Sequence, residues 1–150
     1  MTIDATYGAI NVLLVEDNPA DIRLLEEALK SSKIRYRFNV AMDGEQAMNY
    51  LRRPPAESGL PVPDLIILDL NLPRKDGREV LSEVKQDERL KHIPVVVLTT
   101  SESSDDIIRC YRDHANCYLT KPLNLDKFDE LVRLIEMFWF ITAKLPKRNN

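Results

Sequence analysis

Residues 63–77 read PDLIILDLNLPRKDG, and this stretch decides the fold of the chain. The apolar run 65–68 follows a proline-containing turn and ends at Asp69, which is the pattern of a short strand buried on both faces. Such strands are typical of parallel sheets that carry helices on each side. A carboxylate at the end of a buried strand is costly unless something pairs or solvates it. Asp69 is therefore the first candidate functional residue.

Four other segments have the length and composition of strands, and five segments have the periodicity of amphipathic helices. The predicted strands span 10–15, 36–40, 65–68, 95–98 and 117–119. The predicted helices span 19–31, 44–52, 76–87 and about 103–113, and the last begins near 124 and extends past 140. Strands that alternate with helices in this way predict an α/β doubly wound domain with a five-stranded parallel sheet.

The composition is that of an ordinary globular protein and argues against several classes of function. Of the 150 residues, 44% are hydrophobic, and 21 basic residues against 24 acidic ones give a net charge of -3. A nucleic-acid-binding domain is usually strongly basic, so we do not expect direct DNA binding. The chain shows no signal peptide and no apolar run of membrane-spanning length, which predicts a cytoplasmic protein.

The domain is predicted to extend over 10–141, with a tail at each end, 1–9 and 142–150. Residues 52–63 hold four of the nine prolines and are predicted to form a surface loop within this one domain. Cys110 and Cys117 lack metal-ligand spacing, so we expect two reduced cysteines in an apolar environment.

Polar side chains follow four of the predicted strands at the point where each strand ends. These residues are Glu16, Asp17, Asp69, Thr99 and Lys121. Because the carboxyl ends of parallel strands meet at one edge of the sheet, where ligands of such folds bind, we expect these side chains to lie close together. Taken alone, Glu16 and Asp17 could also be acids that favour the start of a helix.

Carboxylates that converge on one point repel each other, and a bound hard divalent cation usually neutralises their charges. We predict that Asp17 and Asp69 bind Mg²⁺ or Mn²⁺ directly, that Glu16 binds through water, and that the backbone carbonyl of Asn71 is a further ligand. Together with the ammonium of Lys121, this set suits phosphoryl transfer through an aspartyl phosphate, with Asp69 as the nucleophile.

The pattern of these residues resembles the receiver domain of two-component response regulators over about residues 10–140. The residues that carry the resemblance are Glu16-Asp17, Asp69, Thr99 and Lys121-Pro122. The resemblance implies a flavodoxin-like fold with strand order 2-1-3-4-5 and a phosphoryl group that Asp69 accepts from the phosphohistidine of a sensor histidine kinase. It also implies that Thr99 hydrogen-bonds this group, that Tyr118 is a rotating aromatic switch and that the Lys121–Pro122 bond is cis.

Further segments narrow the resemblance to small stand-alone regulators. These segments are DLNLPRKDGREVL (69–81), the proline-rich insertion before it and FWFITAKLP (138–146). They resemble the regulators paired with bacterial, chiefly cyanobacterial, phytochromes, which implies a phytochrome as the kinase partner. The residues from Asn124 onward suffice for one helix and a tail, so no DNA-reading effector domain is expected there.

The last predicted helix is more apolar than one buried stripe requires. If Phe138 faces the core, the surplus consists of Leu134, Met137, Trp139, Phe140 and Ile141. Surplus apolar and aromatic side chains usually mark a protein contact, and the alternative is additional packing within the domain. We therefore predict a homodimer that uses the fourth and fifth helices and an interface that includes Phe138, Trp139 and Phe140.

Three other functions compete with a phosphoacceptor switch that is not an enzyme. A phosphatase with an aspartate nucleophile has a second acid two residues after the nucleophile, where this chain has Asn71. A non-catalytic, dimeric docking scaffold is expected to have a broken acidic pocket, and here the acids are complete. A flavin-binding protein of similar fold needs a phosphate-binding loop after the first strand, and residues 16–19, EDNP, do not provide one.

Overall fold

The computed structural model describes residues 9–53 and 55–146, so most of the two predicted tails lies outside the described residues. The strands are β1 (Ile10–Val15), β2 (Tyr36–Ala41), β3 (Leu65–Leu68), β4 (Val95–Thr99) and β5 (Cys117–Thr120). The helices are α1 (Pro19–Lys30), α2 (Gly44–Arg52), α3 (Gly77–Gln86), α4 (Ser104–Arg112) and α5 (Leu125–Ile135), which continues as a π-helix (Glu136–Thr142). The proline-rich loop contains a short helix that the sequence did not predict, Pro55–Ser58.

All five strands pair in parallel in the order β2-β1-β3-β4-β5, which confirms the predicted fold. The register aligns Val15 of β1 with Leu68 of β3, and Thr99 of β4 with Thr120 of β5. The side chains that follow β1 and β3 therefore leave the sheet next to each other.

Two hydrophobic clusters cover the two faces of the sheet. One cluster joins alternate residues of β1 and β3, such as Leu13 and Ile66, to α2 and α3. The other joins the intervening residues, such as Leu14 and Ile67, to α1 and α5. Since β3 is fully buried on both faces, its continuous apolar run is explained by this two-sided packing.

Capping side chains fix where several helices begin. Asn18 Oδ1 accepts from the N–H of Ala20 at 2.9 Å, and Pro19 occupies the first turn of α1, as the sequence predicted. Ser103 caps α4, and Asn124 caps α5. Both α1 and α4 thus start within a few residues of the carboxyl edge of the sheet.

Two glycines allow the loop between β3 and α3 to pack closely against its neighbours. A Cβ on Gly77 would overlap with the backbone carbonyl of Asp69, and a Cβ on Gly44 would overlap with that of Lys75. The N–H of Gly77 also donates to the carbonyl of Leu70 at 3.0 Å. The start of α3 is therefore in direct contact with the backbone that carries Asp69.

Candidate phosphoacceptor and metal site

The carboxyl ends of β1 and β3 place two acids side by side. Asp69 donates its N–H to the carbonyl of Val15 at 3.0 Å, and Glu16 donates its N–H to the carbonyl of Ala41 at 3.0 Å. Both side chains are nearly inaccessible, with Glu16 3% and Asp69 6% exposed. The sheet hydrogen bonds therefore hold two carboxylates at its buried edge.

Three carboxylates meet at this edge, as the sequence predicted. One oxygen from each of Glu16, Asp17 and Asp69 lies within 4.8 Å of the others. Burial raises the pKa of the Glu16 carboxyl to about 7, the charge of Asp69 adds to this rise, and Lys121 opposes it. Clustered, poorly solvated carboxylate oxygens are suitable ligands for a hard divalent cation, so the donor set fits Mg²⁺ or Mn²⁺.

Asn71 lies beside the same carboxylate. Its N–H donates to Asp69 Oδ1 at 3.2 Å, which folds residues 69–71 into a tight turn, and its side chain is exposed. The predicted role of its backbone carbonyl as a metal ligand stays a prediction.

Lys121 is the cation at the centre of the site, and its ammonium is bound by three carboxylates. Nζ lies 2.6 Å from Glu16 Oε2, 2.9 Å from Asp21 Oδ2 and 3.0 Å from Asp69 Oδ2. An ammonium has three donors, so each hydrogen has one acceptor. Burial alone lowers the pKa of Lys121, but the hydrogen bonds to Glu16 and Asp21 outweigh it and raise this pKa above its usual range.

Asp21 is a member of this site that the sequence analysis missed. It lies in the first turn of α1, and this helix begins a few residues after the carboxyl end of β1. The available signal was the start of α1 so soon after β1, which keeps the first turn of the helix at the edge where the strand ends.

Thr99 and Tyr118 are both hydrogen-bonded to the backbone of Ser101. Thr99 is fully buried, and its Oγ1 accepts from the N–H of Ser101 at 3.5 Å. The hydroxyl of Tyr118, whose side chain is partly buried, donates to the carbonyl of Ser101 at 2.8 Å. The two predicted switch residues are thus connected by one residue of the β4–α4 loop.

The peptide bond between Lys121 and Pro122 is trans, because no cis peptide bond occurs among the described residues. The predicted cis bond is therefore wrong for this structure. The trans form is the ordinary minimum for a bond to proline, by roughly 0.5–1 kcal/mol. It is compatible here with the hydrogen bond from the N–H of Lys121 to the carbonyl of Thr99, at 2.7 Å.

A second cluster of charges, which we call the Arg78 brace, was also missed. It consists of Asp76, Arg78, Ser101 and Asp106. Arg78 donates to both carboxylate oxygens of Asp106 at 2.7 Å, and its Nη1 lies 3.0 Å from Asp76 Oδ1. The two hydrogen bonds from Arg78 to Asp106, with one from Ser101, lower the pKa of the Asp106 carboxyl to about 2.

The aromatic side chains at the C-terminus are arranged differently from the prediction. Phe138, expected to face the core, is 55% exposed, whereas Trp139 and Phe140 pack against the core cluster that includes α1 and α5. The wider π-helical turn causes this change, since bonds such as Ala143 N–H to Phe138 carbonyl, at 2.7 Å, span five residues. Tyr36 holds the segment through an edge contact with Phe140.

No helix among residues 9–53 and 55–146 is both long enough and apolar enough to cross a membrane.

The fold and the acidic site define the class of protein. The chain belongs to the response regulator receiver domain family, whose pattern matches residues 12–133. The predicted family is thereby confirmed.

Individual relatives agree with this assignment. Response regulator Rcp1 of Synechocystis sp. is 53% identical over 135 residues, which cover 90% of this chain and 92% of that protein. The crystal structure of the Mn(2+)-bound form of Rcp1 has a TM-score of 0.87 at 51% identity and covers 92% of this chain and 99% of that one. The crystal structure of the phosphorylated cyanobacterial phytochrome response regulator RcpA has a TM-score of 0.88 at 52% identity, with coverages of 93% and 99%.

Proposed function

We propose that this chain accepts a phosphoryl group on Asp69 from a sensor histidine kinase, with the help of Mg²⁺ or Mn²⁺. The observation that carries the proposal is the position of Asp69 Oδ2, 3.0 Å from Lys121 Nζ and within the cluster of three carboxylates. A solved relative, RcpA, is described as phosphorylated, and another, Rcp1, as Mn(2+)-bound.

Each side chain of the site has a defined role in this proposal. Asp17 and Asp69 hold the cation directly, and Glu16 assists through water. The cation supplies positive charge that offsets the charge of the transferred group. Lys121 can exchange one of its three carboxylate partners for a phosphoryl oxygen, and Thr99 donates its hydroxyl to another.

The proposed step exchanges one bond to phosphorus for another. A carboxylate oxygen of Asp69 attacks the phosphorus of the donor, and the phosphorus–nitrogen bond of the phosphohistidine breaks. The electron pair of that bond stays on the imidazole nitrogen, which takes up a proton. The protein modifies only its own side chain, so we class it as a signalling phosphoacceptor rather than as an enzyme.

A phytochrome is the proposed kinase. Support comes from RcpA, which is named a cyanobacterial phytochrome response regulator and is 52% identical to this chain. We propose no direct contact with DNA, because the chain has a net charge of -3 and nucleic-acid-binding domains are usually basic.

Phosphorylation is proposed to change the self-association of the chain. The C-terminal segment exposes four apolar side chains, namely Leu134, Met137, Phe138 and Ile141. An exposed apolar patch of this kind favours a contact with a second copy. Because Tyr118 is bound to the loop that follows Thr99, a change at Asp69 can shift the face formed by α4 and α5.

Phosphorylation is tested with acetyl phosphate, Mg²⁺ and intact-mass measurement. We expect the mass of one phosphoryl group on the wild type and on Asp64→Asn, and none on Asp69→Asn. Asp64 is the matched control because it precedes the same strand at its opposite end. Equal labelling of the Asp69 variant contradicts the proposal, and steady release of phosphate from external phosphomonoesters favours the phosphatase alternative.

The association switch is tested by sedimentation of phosphorylated and unphosphorylated protein. We expect a different dimer fraction in the two forms, and a smaller fraction in both for Phe138→Ser. Trp139 and Phe140 are not suitable for this experiment because they are partly buried and pack against the core cluster of α1 and α5. Monomers in all samples contradict the proposed switch without affecting the proposed phosphorylation.

A further inference from the structure

The Arg78 brace connects two helix starts that lie far apart in the sequence. Arg78 and Asp76 belong to the beginning of α3, and Asp106 lies in the first turn of α4. The side chains of Arg78 and Asp106 are only 19% and 17% exposed, and two parallel N–H donors meet two carboxylate oxygens. A two-pronged contact of this kind fixes orientation as well as distance.

Ser101 is the point at which the brace meets the predicted switch. Its Oγ donates to Asp106 Oδ2 at 2.6 Å and accepts from the N–H of Ser103 at 3.3 Å. Its N–H donates to Thr99 Oγ1 at 3.5 Å, and its carbonyl accepts from the hydroxyl of Tyr118 at 2.8 Å. Every polar group of Ser101 therefore has a partner, and its position follows that of Asp106.

The other end of the brace is fixed relative to Asp69. Gly77 packs so closely that a Cβ there would overlap with the carbonyl of Asp69, and its N–H is bonded to Leu70. Arg78 is the next residue. The brace therefore spans from the backbone of Asp69 to the loop that follows Thr99.

The hydroxyl of Thr99 has one donor and two acceptor positions. When the N–H of Ser101 occupies an acceptor position, the hydroxyl hydrogen is left to donate elsewhere. A hydrogen-bond donor helps phosphoryl transfer only if it is already aimed at the developing charge. The orientation of Thr99 therefore depends on where Ser101 is held.

We infer that Arg78 is a positioning residue: through Asp106 it fixes Ser101, and through Ser101 it orients the hydroxyl of Thr99 toward the group accepted by Asp69. The effect of Arg78 on phosphorylation rests on the proposed function. The positioning of Ser101 by Arg78 and Asp106 does not. The guanidinium is suited to this task because its planar fork matches a carboxylate, which an ammonium cannot do.

The experiment compares wild type with Arg78→Gln and Asp106→Asn. The matched control is Arg52→Gln, since Arg52 also binds a carboxylate, Glu83 at 3.1 Å, but lies on α2 with no contact to Ser101. The first readout is amide hydrogen exchange of Ser101 and Ser103 in unphosphorylated protein. The second is the initial rate of labelling by acetyl phosphate, measured together with the affinity for Mg²⁺.

We expect both brace variants to exchange the Ser101 and Ser103 amides about tenfold faster than wild type, because a charged hydrogen bond is lost. Labelling is expected to slow roughly threefold to tenfold, because Thr99 is no longer held in place. Their affinity for Mg²⁺ is expected to stay within about twofold of wild type, because Glu16, Asp17 and Asp69 are intact. Arg52→Gln is expected to match wild type in all three measurements.

Exchange rates equal to those of Arg52→Gln overturn the inference. Faster exchange with an unchanged labelling rate also overturns it, because the brace then stabilises the loop without orienting Thr99. If wild type itself takes up no phosphoryl group, the proposed function fails, and the exchange of Ser101 and Ser103 still decides whether Arg78 positions the loop.

Discussion

The two charge clusters at the carboxyl edge of the sheet differ in the cation at their centre. Lys121 binds three carboxylates, which come from the loop after β1, from α1 and from the loop after β3, each through a single hydrogen bond. Arg78 places two of its donors on one carboxylate, Asp106, and a third on Asp76. Both clusters hold more carboxylates than cations, but the carboxylates of the first are more deeply buried, with Glu16 3% and Asp69 6% exposed.

Because of this difference, the Lys121 cluster is suited to exchanging partners during a reaction, and the Arg78 brace is suited to fixing the positions of two helices. An ammonium is a compact charge on a flexible stem, so it can change partners without losing all its contacts. A guanidinium fork loses both hydrogen bonds when it turns. Oxygens of Glu16, Asp17 and Asp69 lie within 4.8 Å of one another and fit a further cation, whereas both oxygens of Asp106 already accept from Arg78.

The largest expected effect comes from removal of the cation at the reactive centre. In metal-free buffer, Lys121→Met is expected to lower the free energy of unfolding by about 3 kcal/mol, because buried carboxylates lose their partner. Urea denaturation measures this change. The control Lys30→Met removes an exposed ion pair with Glu26 and is expected to change stability by about 0.5 kcal/mol or less. Equal effects of the two variants contradict the central role of Lys121.

A somewhat smaller effect is expected from the added cation. At a Mg²⁺ concentration a hundred times its dissociation constant, the free energy of unfolding should rise by about 2.7 kcal/mol. Asp17→Asn is expected to lose most of this rise, because it removes a ligand. Asp76→Asn, in the Arg78 brace, should keep it. Thermal unfolding with and without Mg²⁺ measures this stabilisation. If Asp17→Asn and Asp76→Asn lose it equally, the two clusters do not differ in cation binding.

The smallest expected effect is the coupling within the Arg78 brace. A double-mutant cycle of Arg78→Met and Asp106→Asn should give a coupling of about 1.5 kcal/mol at pH 7. The same cycle on the exposed pair Arg133 and Asp129 should give about 0.3–0.5 kcal/mol.

The coupling of the brace is also expected to depend on pH. The pKa of Asp106 falls from its usual 3.8 to about 2 on folding, so the unfolded chain binds its proton first. The stabilisation is therefore present above about pH 4 and is lost as the pH falls through 2. Comparison of wild type with Asp106→Asn across this range measures it, and a difference that is constant down to pH 2 contradicts the assignment.

The reactive centre was largely predictable from the sequence because its members lie next to strand ends. Glu16 follows the apolar run of β1, Asp69 follows that of β3, and Lys121 follows β5. A parallel sheet brings such positions to one edge whatever the details of packing. Only Asp21, one helical turn into α1, was missed.

The Arg78 brace could not be predicted in the same way. Arg78 and Asp106 are 28 residues apart, and both lie on the polar faces of helices, where charged residues are usual. Their contact depends on how α3 and α4 pack on the sheet. The arrangement that exposes Phe138 and partly buries Phe140 has a similar origin, because Phe140 packs edge-on against Tyr36 of β2, which is distant in the sequence.

The two glycines that clamp the β3–α3 loop set a limit on how this protein can vary. Any residue larger than glycine at position 77 would displace the peptide of Asp69, and at position 44 it would displace the peptide of Lys75. Gly44 belongs to α2 and Gly77 to α3, so the β3–α3 loop is confined by the starts of two helices. In a library of random variants, these two positions should accept no substitution, whereas the exposed Asn71 between them should accept many.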